Sequence, residues 1–169
     1  MAEVKNNKSV NQKKEFNPDN KVTIRNISGW NVGFSRIVDV GFGDVTVTAR
    51  GTVRLSGSEI LAQIQNGNKL LAGVDGFGAH AALIIEDAPT RIEAAFESED
   101  GSKKQEVYSD QLIIDLFNIS NQTQFENMFR EKIVTRAEKY AAINTIKEKN
   151  LNDYRKIRFV EKYTGYTIS

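Results

Sequence analysis

His80 is the only histidine in a chain of 169 residues that has no cysteine. This limits the chemistry on offer. A lone imidazole cannot build a two-histidine metal pair, and no thiol is present for nucleophilic attack or zinc-thiolate ligation. Asp75 precedes His80 by five residues, and the two make the chain's one candidate pair for acid–base work. Such work needs oriented partners and a nucleophile in reach, and no serine-based motif surrounds them. Between alanines, His80 reads first as a core or edge histidine in a buried strand, with a backbone partner. The loop 73–78, GVDGFG, is rich in glycine, but no Gly-Lys-Ser/Thr ends it and no helical pattern follows. It is not a phosphate-binding loop and does not match G-x-G-x-x-G. It reads as a glycine turn between strands. Glu86, Asp87, Glu97, Glu99 and Asp100 could offer oxygen ligands to a hard cation, but they lack EF-hand spacing. They read as a solvated acidic surface. No catalytic constellation, cofactor or metal is expected from these residues.

Charge layout is more informative. The formal net charge is +1, yet residues 86–115 hold nine acids against three bases, and residues 128–163 hold ten bases against five acids. At 100° per residue, the helix expected over 133–148 carries Ile133, Val134, Ala137, Tyr140 and Ala141 on one face. Lys132, Arg136, Lys139 and Lys147 lie on a stripe off that face, with Ile143 among them. The last helix repeats the scheme, with Ile157, Val160 and Tyr163 inward and Arg155, Arg158 and Lys162 on a stripe. Such stripes fit a solvated face, and they also fit contact with protein or nucleic acid. Ile143 within the stripe favours a protein surface, because isolated phosphate contact needs no isoleucine.

The elements that must position these residues follow from periodicity and punctuation. Residues 22–25 alternate as a strand, and Gly29 in the turn 26–30 is free to take positive φ. Trp30 reads as a packing anchor. A second strand is expected over 32–40. Strands 45–48 and 52–55 flank Ala49-Arg50-Gly51 as a tight hairpin. Ser56 and Glu59 fit a capping box that opens a helix over 57–65. Strands over 69–72 and 79–85 surround the glycine loop, and a short helix follows within 88–96. From Ser109 the period becomes helical. Ser109 caps a helix over 110–117, Thr123 and Thr135 begin further capping boxes, and Asp153 caps a helix over 154–163 that ends at Gly165.

Together these readings predict an α+β protein, in which an antiparallel N-terminal β-unit (21–108) packs with a C-terminal helical segment (109–169). Residues 1–20, dominated by Asn and Lys, read as a flexible or extended arm. The chain is 40% hydrophobic and 27% charged, ordinary for a soluble protein. It contains no 18-residue apolar segment, so no membrane span is expected. Its first residues lack the apolar centre of a signal peptide, which points to synthesis in the cytoplasm.

The order of elements, opening on the strand VTIRN at 22–26 and closing on NDYRKIRFVEKYTGYTI, resembles small virion-associated, head-module proteins of tailed bacteriophages. Val22 to Asn26 fit the opening. Asp153, Lys156, Val160, Thr164 and Gly165 fit the closing helix, with Arg158 offset from the usual adjacent pair. The resemblance implies a non-enzymatic structural protein of the virion, made in the host cytoplasm. It would bind the capsid or another virion component as a minor, decoration or lining subunit, through its arm and charged faces. It carries no assigned active site. The alternative is a nucleic-acid-binding accessory protein that uses Lys132, Arg136, Lys139, Arg155, Arg158 and Lys162.

Overall fold

Residues 21–26 alternate outward and buried side chains, and in the computed structural model, which describes residues 14–168, they form the strand at the centre of the main sheet. Among the described residues the strands are β1 (Lys21–Asn26), β2 (Val32–Phe34), β3 (Val45–Val47), β4 (Thr52–Ser56) and β5 (Leu83–Ile85). The helices are α1 (Gly57–Gln65), α2 (Lys69–Ala72), α3 (Ala88–Glu93), α4 (Asp110–Phe117), α5 (Gln122–Lys132), α6 (Arg136–Glu148) and α7 (Tyr154–Thr164). The main sheet has the order β4-β1-β5, all antiparallel, with Ile24 opposite both Val53 and Ile85. β2 and β3 form a separate antiparallel pair. The class is therefore α+β, as expected.

Two hydrophobic cores meet at β5. Leu83 and Ile85 join Val22, Ile24, Val45, Val47, Leu55, Ile60, Leu71 and Phe96 in the β-side core. Ile84, pointing the other way as strand geometry requires, joins the helical core of Ile113, Leu116, Phe125, Phe129, Ile133, Ile146 and Val160. This explains why all three β5 residues are buried. Trp30 packs against the helical core and meets Tyr140 edge-on. Gly29 does not take positive φ. Its need is close approach, since a Cβ there would lie 2.1 Å from the Tyr140 ring.

The expected hairpin over 45–55 does not form, because β3 pairs with β2 and β4 pairs with β1. Buried Asn26 supplies the reason. Gly51 N–H still closes the turn on Thr48 O (2.9 Å), but the backbone N–H of Asn26 takes Gly51 O (2.9 Å), the carbonyl that would return the next hairpin bond, and draws the following strand to β1. The second strand stops at Phe34, well short of residue 40, and a single 3-10 turn follows at Val40–Phe42. Residues 69–72 are a helix rather than a strand. Asn68 caps it, and Gly73 at φ +70 closes it. Of the strand expected over 79–85 only Leu83–Ile85 pairs, since His80 sits at φ +56.

The helix signals fare better. Ser56, Ser109, Thr135 and Asp153 cap α1, α4, α6 and α7, and Gly165 ends α7 in the left-handed conformation. α5 begins earlier than expected, on Asn121 instead of Thr123. Residues 1–13 of the expected arm lie outside the described residues. Residues 14–20 run beside the start of α1, where Gly57 N–H donates to Asn20 O (3.1 Å) and Ser58 N–H to Pro18 O (2.9 Å). Among the described residues no helix is long and apolar enough to cross a membrane.

Candidate interaction surfaces

The one acid–base pair offered by the sequence does not assemble. Asp75 Oδ1 accepts from the N–H groups of Phe77 (2.7 Å) and Ala79 (3.1 Å), which folds the glycine loop onto itself. His80 turns instead to Glu138, with Nδ1 2.7 Å from Oε1. The other oxygen of Glu138 accepts from Val134 N–H (2.8 Å) and Thr135 N–H (3.0 Å) as part of the α6 capping box. Thr135, the one hydroxyl residue lining the hollow beside His80, spends its oxygen on Glu138 N–H. The arrangement ties loop to helix and presents no aligned nucleophile.

The acidic segment is largely engaged as well. Glu86 pairs with Arg25 (2.7 Å) and Glu97 with Arg91 (2.9 Å). Asp87 caps α3. The hydroxyls of Ser98 and Ser102 hold the Asp100 carboxyl down at about 2. Glu106 is held below the usual carboxylate range, chiefly by the Lys132 ammonium at 2.8 Å. No cluster of three His, Cys, Asp or Glu residues suited to a metal occurs among the described residues.

The basic residues divide between two places. Lys132 ends α5 and pairs with Glu106 and Glu131. Arg136 lies 4.5 Å over the Trp30 ring, and Lys139 lies 4.4 Å over Tyr163. Ile143, expected on the basic stripe, is only 4% exposed and belongs to the helical core. α6 is covered on more than one side, so its apolar arc is wider than one helical wheel suggested. Arg155, Arg158 and Lys162 of α7 do share a surface, and they share it with α5 rather than α6. An open groove of about 740 Å³ between α5 and α7 is lined by these three, by Arg130, by Phe159 and Tyr163, and by Glu126 and Glu161. The Arg130 guanidinium stacks over Phe159 (4.8 Å) and Tyr163 (5.4 Å), whose rings lie nearly parallel. The sequence reading passed over Arg130. The signal was the Phe125/Phe129 pair on α5 and the Phe159/Tyr163 pair on α7, each spaced i, i+4 beside bases.

A second surface was missed altogether. Ile37, Val38, Val40 and Phe42 are all exposed, Val40 at 66% and Phe42 at 75%. They occupy one loop, 36–43, whose backbone is held from beneath. Buried Glu59 accepts from Ile37 N–H (2.9 Å), Val38 N–H (2.8 Å) and Asp39 N–H (2.9 Å). Gln63 donates to Glu59 and to Ser35 O, both at 2.8 Å. Ser56 Oγ donates to Asp39 (2.7 Å). Glu59 was expected to complete a capping box with Ser56, but its carboxylate is spent on this loop. Lys21 and Arg36 lie 5.5 Å and 5.7 Å from the Phe42 ring, so cations flank the apolar tip.

No family model matches the chain, and no curated protein or solved structure shows significant similarity to it.

Proposed function

We propose that this chain is a non-enzymatic structural protein of a tailed-bacteriophage virion. It docks on the capsid or another virion protein, as a minor, decoration or lining subunit, through the loop 36–43. The observation that carries this reading is the set of exposed apolar side chains on a backbone held by buried Glu59. A group of large apolar side chains turned to water marks an interaction site more often than isolated ones do. A loop fixed before binding loses little conformational freedom on docking, which favours affinity. Arg36 and Lys21, the latter 3.9 Å from Asp39, flank the apolar tip and favour a partner with an apolar pocket rimmed by carboxylates. The resemblance of residues 22–26 and 153–165 to head-module proteins supports a virion protein as that partner.

The test is quantitative mass spectrometry on gradient-purified particles of a phage encoding this chain, with wild type and Phe42→Asp compared. The reading expects a fixed copy number relative to the major shell protein, falling about tenfold or more for the variant, since central apolar anchors dominate interfaces. Absence of the wild-type chain from particles, or equal incorporation of the variant, would overturn it.

A further inference from the structure

We propose that the groove between α5 and α7 binds the phosphate backbone of nucleic acid without reading sequence. Four cations, Arg130, Arg155, Arg158 and Lys162, line it, and among the described residues none has a carboxylate within ion-pair distance, Arg158 donating instead to the Tyr154 hydroxyl (2.9 Å). Elsewhere several bases are matched to carboxylates: Lys132 to Glu106, Arg25 to Glu86, Arg91 to Glu97. The two acids of the groove are turned to other donors. Glu126 accepts from Gln122 Nε2 (2.9 Å), and Glu161 accepts from Ile168 N–H (2.8 Å). Four bases against two acids leave a positive channel.

The rings decide between nucleic acid and an acidic protein. Phe159 and Tyr163 are already covered by Arg130, and Lys139 also lies over Tyr163. An apolar anchor from a protein would have to displace those cations. A phosphate would not, because a guanidinium stacked on a ring keeps its N–H edge free for paired hydrogen bonds to phosphate oxygens. Along α7, Arg155, Arg158 and Lys162 fall at i, i+3 and i+7, which aligns them on one face. A row of cations suits a polyanion better than a single phosphate. This inference does not rest on virion docking through loop 36–43, and its test leaves that surface untouched.

The test is fluorescence anisotropy with labelled single- and double-stranded DNA of mixed sequence at about 50 mM salt and upward, where phosphate contacts are readily measured. Poly-glutamate of matched charge serves as competitor. The triple variant Arg130→Gln/Arg158→Gln/Lys162→Gln is compared with a control, Lys147→Gln/Lys149→Gln, whose bases lie outside the groove. Wild type and control should bind with affinity falling steeply as salt rises. For the groove variant, the slope of log K against log salt on the duplex should shrink by about 2 to 3, and affinity should drop about tenfold or more. Three results would each overturn the proposal: undetectable binding at the lowest salt, equal weakening by the control variant, or displacement of DNA by poly-glutamate at equal charge. The last would assign the groove to an acidic protein.

Discussion

Nδ1 of His80 lies 2.7 Å from Oε1 of Glu138, a bond that joins residues 58 positions apart. The Glu138 side chain is 1% exposed, and its other oxygen closes the α6 capping box. His80 is held in the left-handed region at φ +56, and its own N–H donates to Glu106 O (2.9 Å). One carboxylate therefore caps a helix and fastens the glycine loop of the β-unit to it. The lone histidine, the first residue a chemist would test for catalysis, has a structural task that accounts for its position.

Replacing His80 with alanine leaves a buried carboxylate oxygen without its donor. Such an orphan costs about 1–3 kcal/mol. His80→Asn retains an N–H donor at the position of Nδ1 and should lose distinctly less. Urea unfolding provides the check, as a lower midpoint at unchanged slope. Equal losses in the two variants would mean that the ring's packing matters and the hydrogen bond does not.

Glu59 makes stability depend on pH in acid. Burial opposes its charged form. The N–H of Asp39, the Gln63 amide and the N–H groups of Ile37 and Val38 outweigh that and hold the carboxyl at about 2, down from 4.5. A folded-state value below the unfolded one means that the unfolded chain binds the extra proton. The contribution is therefore complete above pH 4.5 and is lost as pH falls toward 2. Its size is on the order of 3 kcal/mol. Glu59→Gln should be less stable than wild type at neutral pH, with the gap closing as pH drops through that window. Hydrogen exchange should show faster amides at Ile37, Val38 and Asp39. A variant whose pH profile runs parallel to wild type would assign the acid limb to other carboxylates.

The helices were legible because their signals are local. A cap at Ser56, Ser109, Thr135 or Asp153 and the apolar spacing after it lie within a few residues of each other. The strands were less so. Residues 32–40 and 79–85 look like strands by composition, but Glu59 takes the N–H groups of residues 37–39, and Asp75 takes those of Phe77 and Ala79. Asp75 lies within a local window of its donors, but Glu59 is 20 to 22 positions from the donors it takes and leaves no trace in a window of nearby residues. The same limit hid half of the basic groove. The α7 row could be read from spacing alone, but only packing reveals that Arg130 on α5 faces it.

Ile143 tests where that limit falls on α6. Its place on the basic stripe made it a contact residue in the sequence reading, whereas the fold places it at 4% exposure beside Ala142 and Ile146 in the helical core. The two placements lead to different measurements. A buried isoleucine cut to alanine loses its transfer free energy and leaves a cavity, about 2–5 kcal/mol in all. A surface isoleucine so changed alters stability by about 0.5 kcal/mol or less. Ile143→Ala should therefore lower the urea midpoint substantially. DNA binding by the folded fraction should stay as in wild type, because no groove residue is touched. The reverse pattern, unchanged stability with weakened binding, would return Ile143 to the surface and place the contact face on α6.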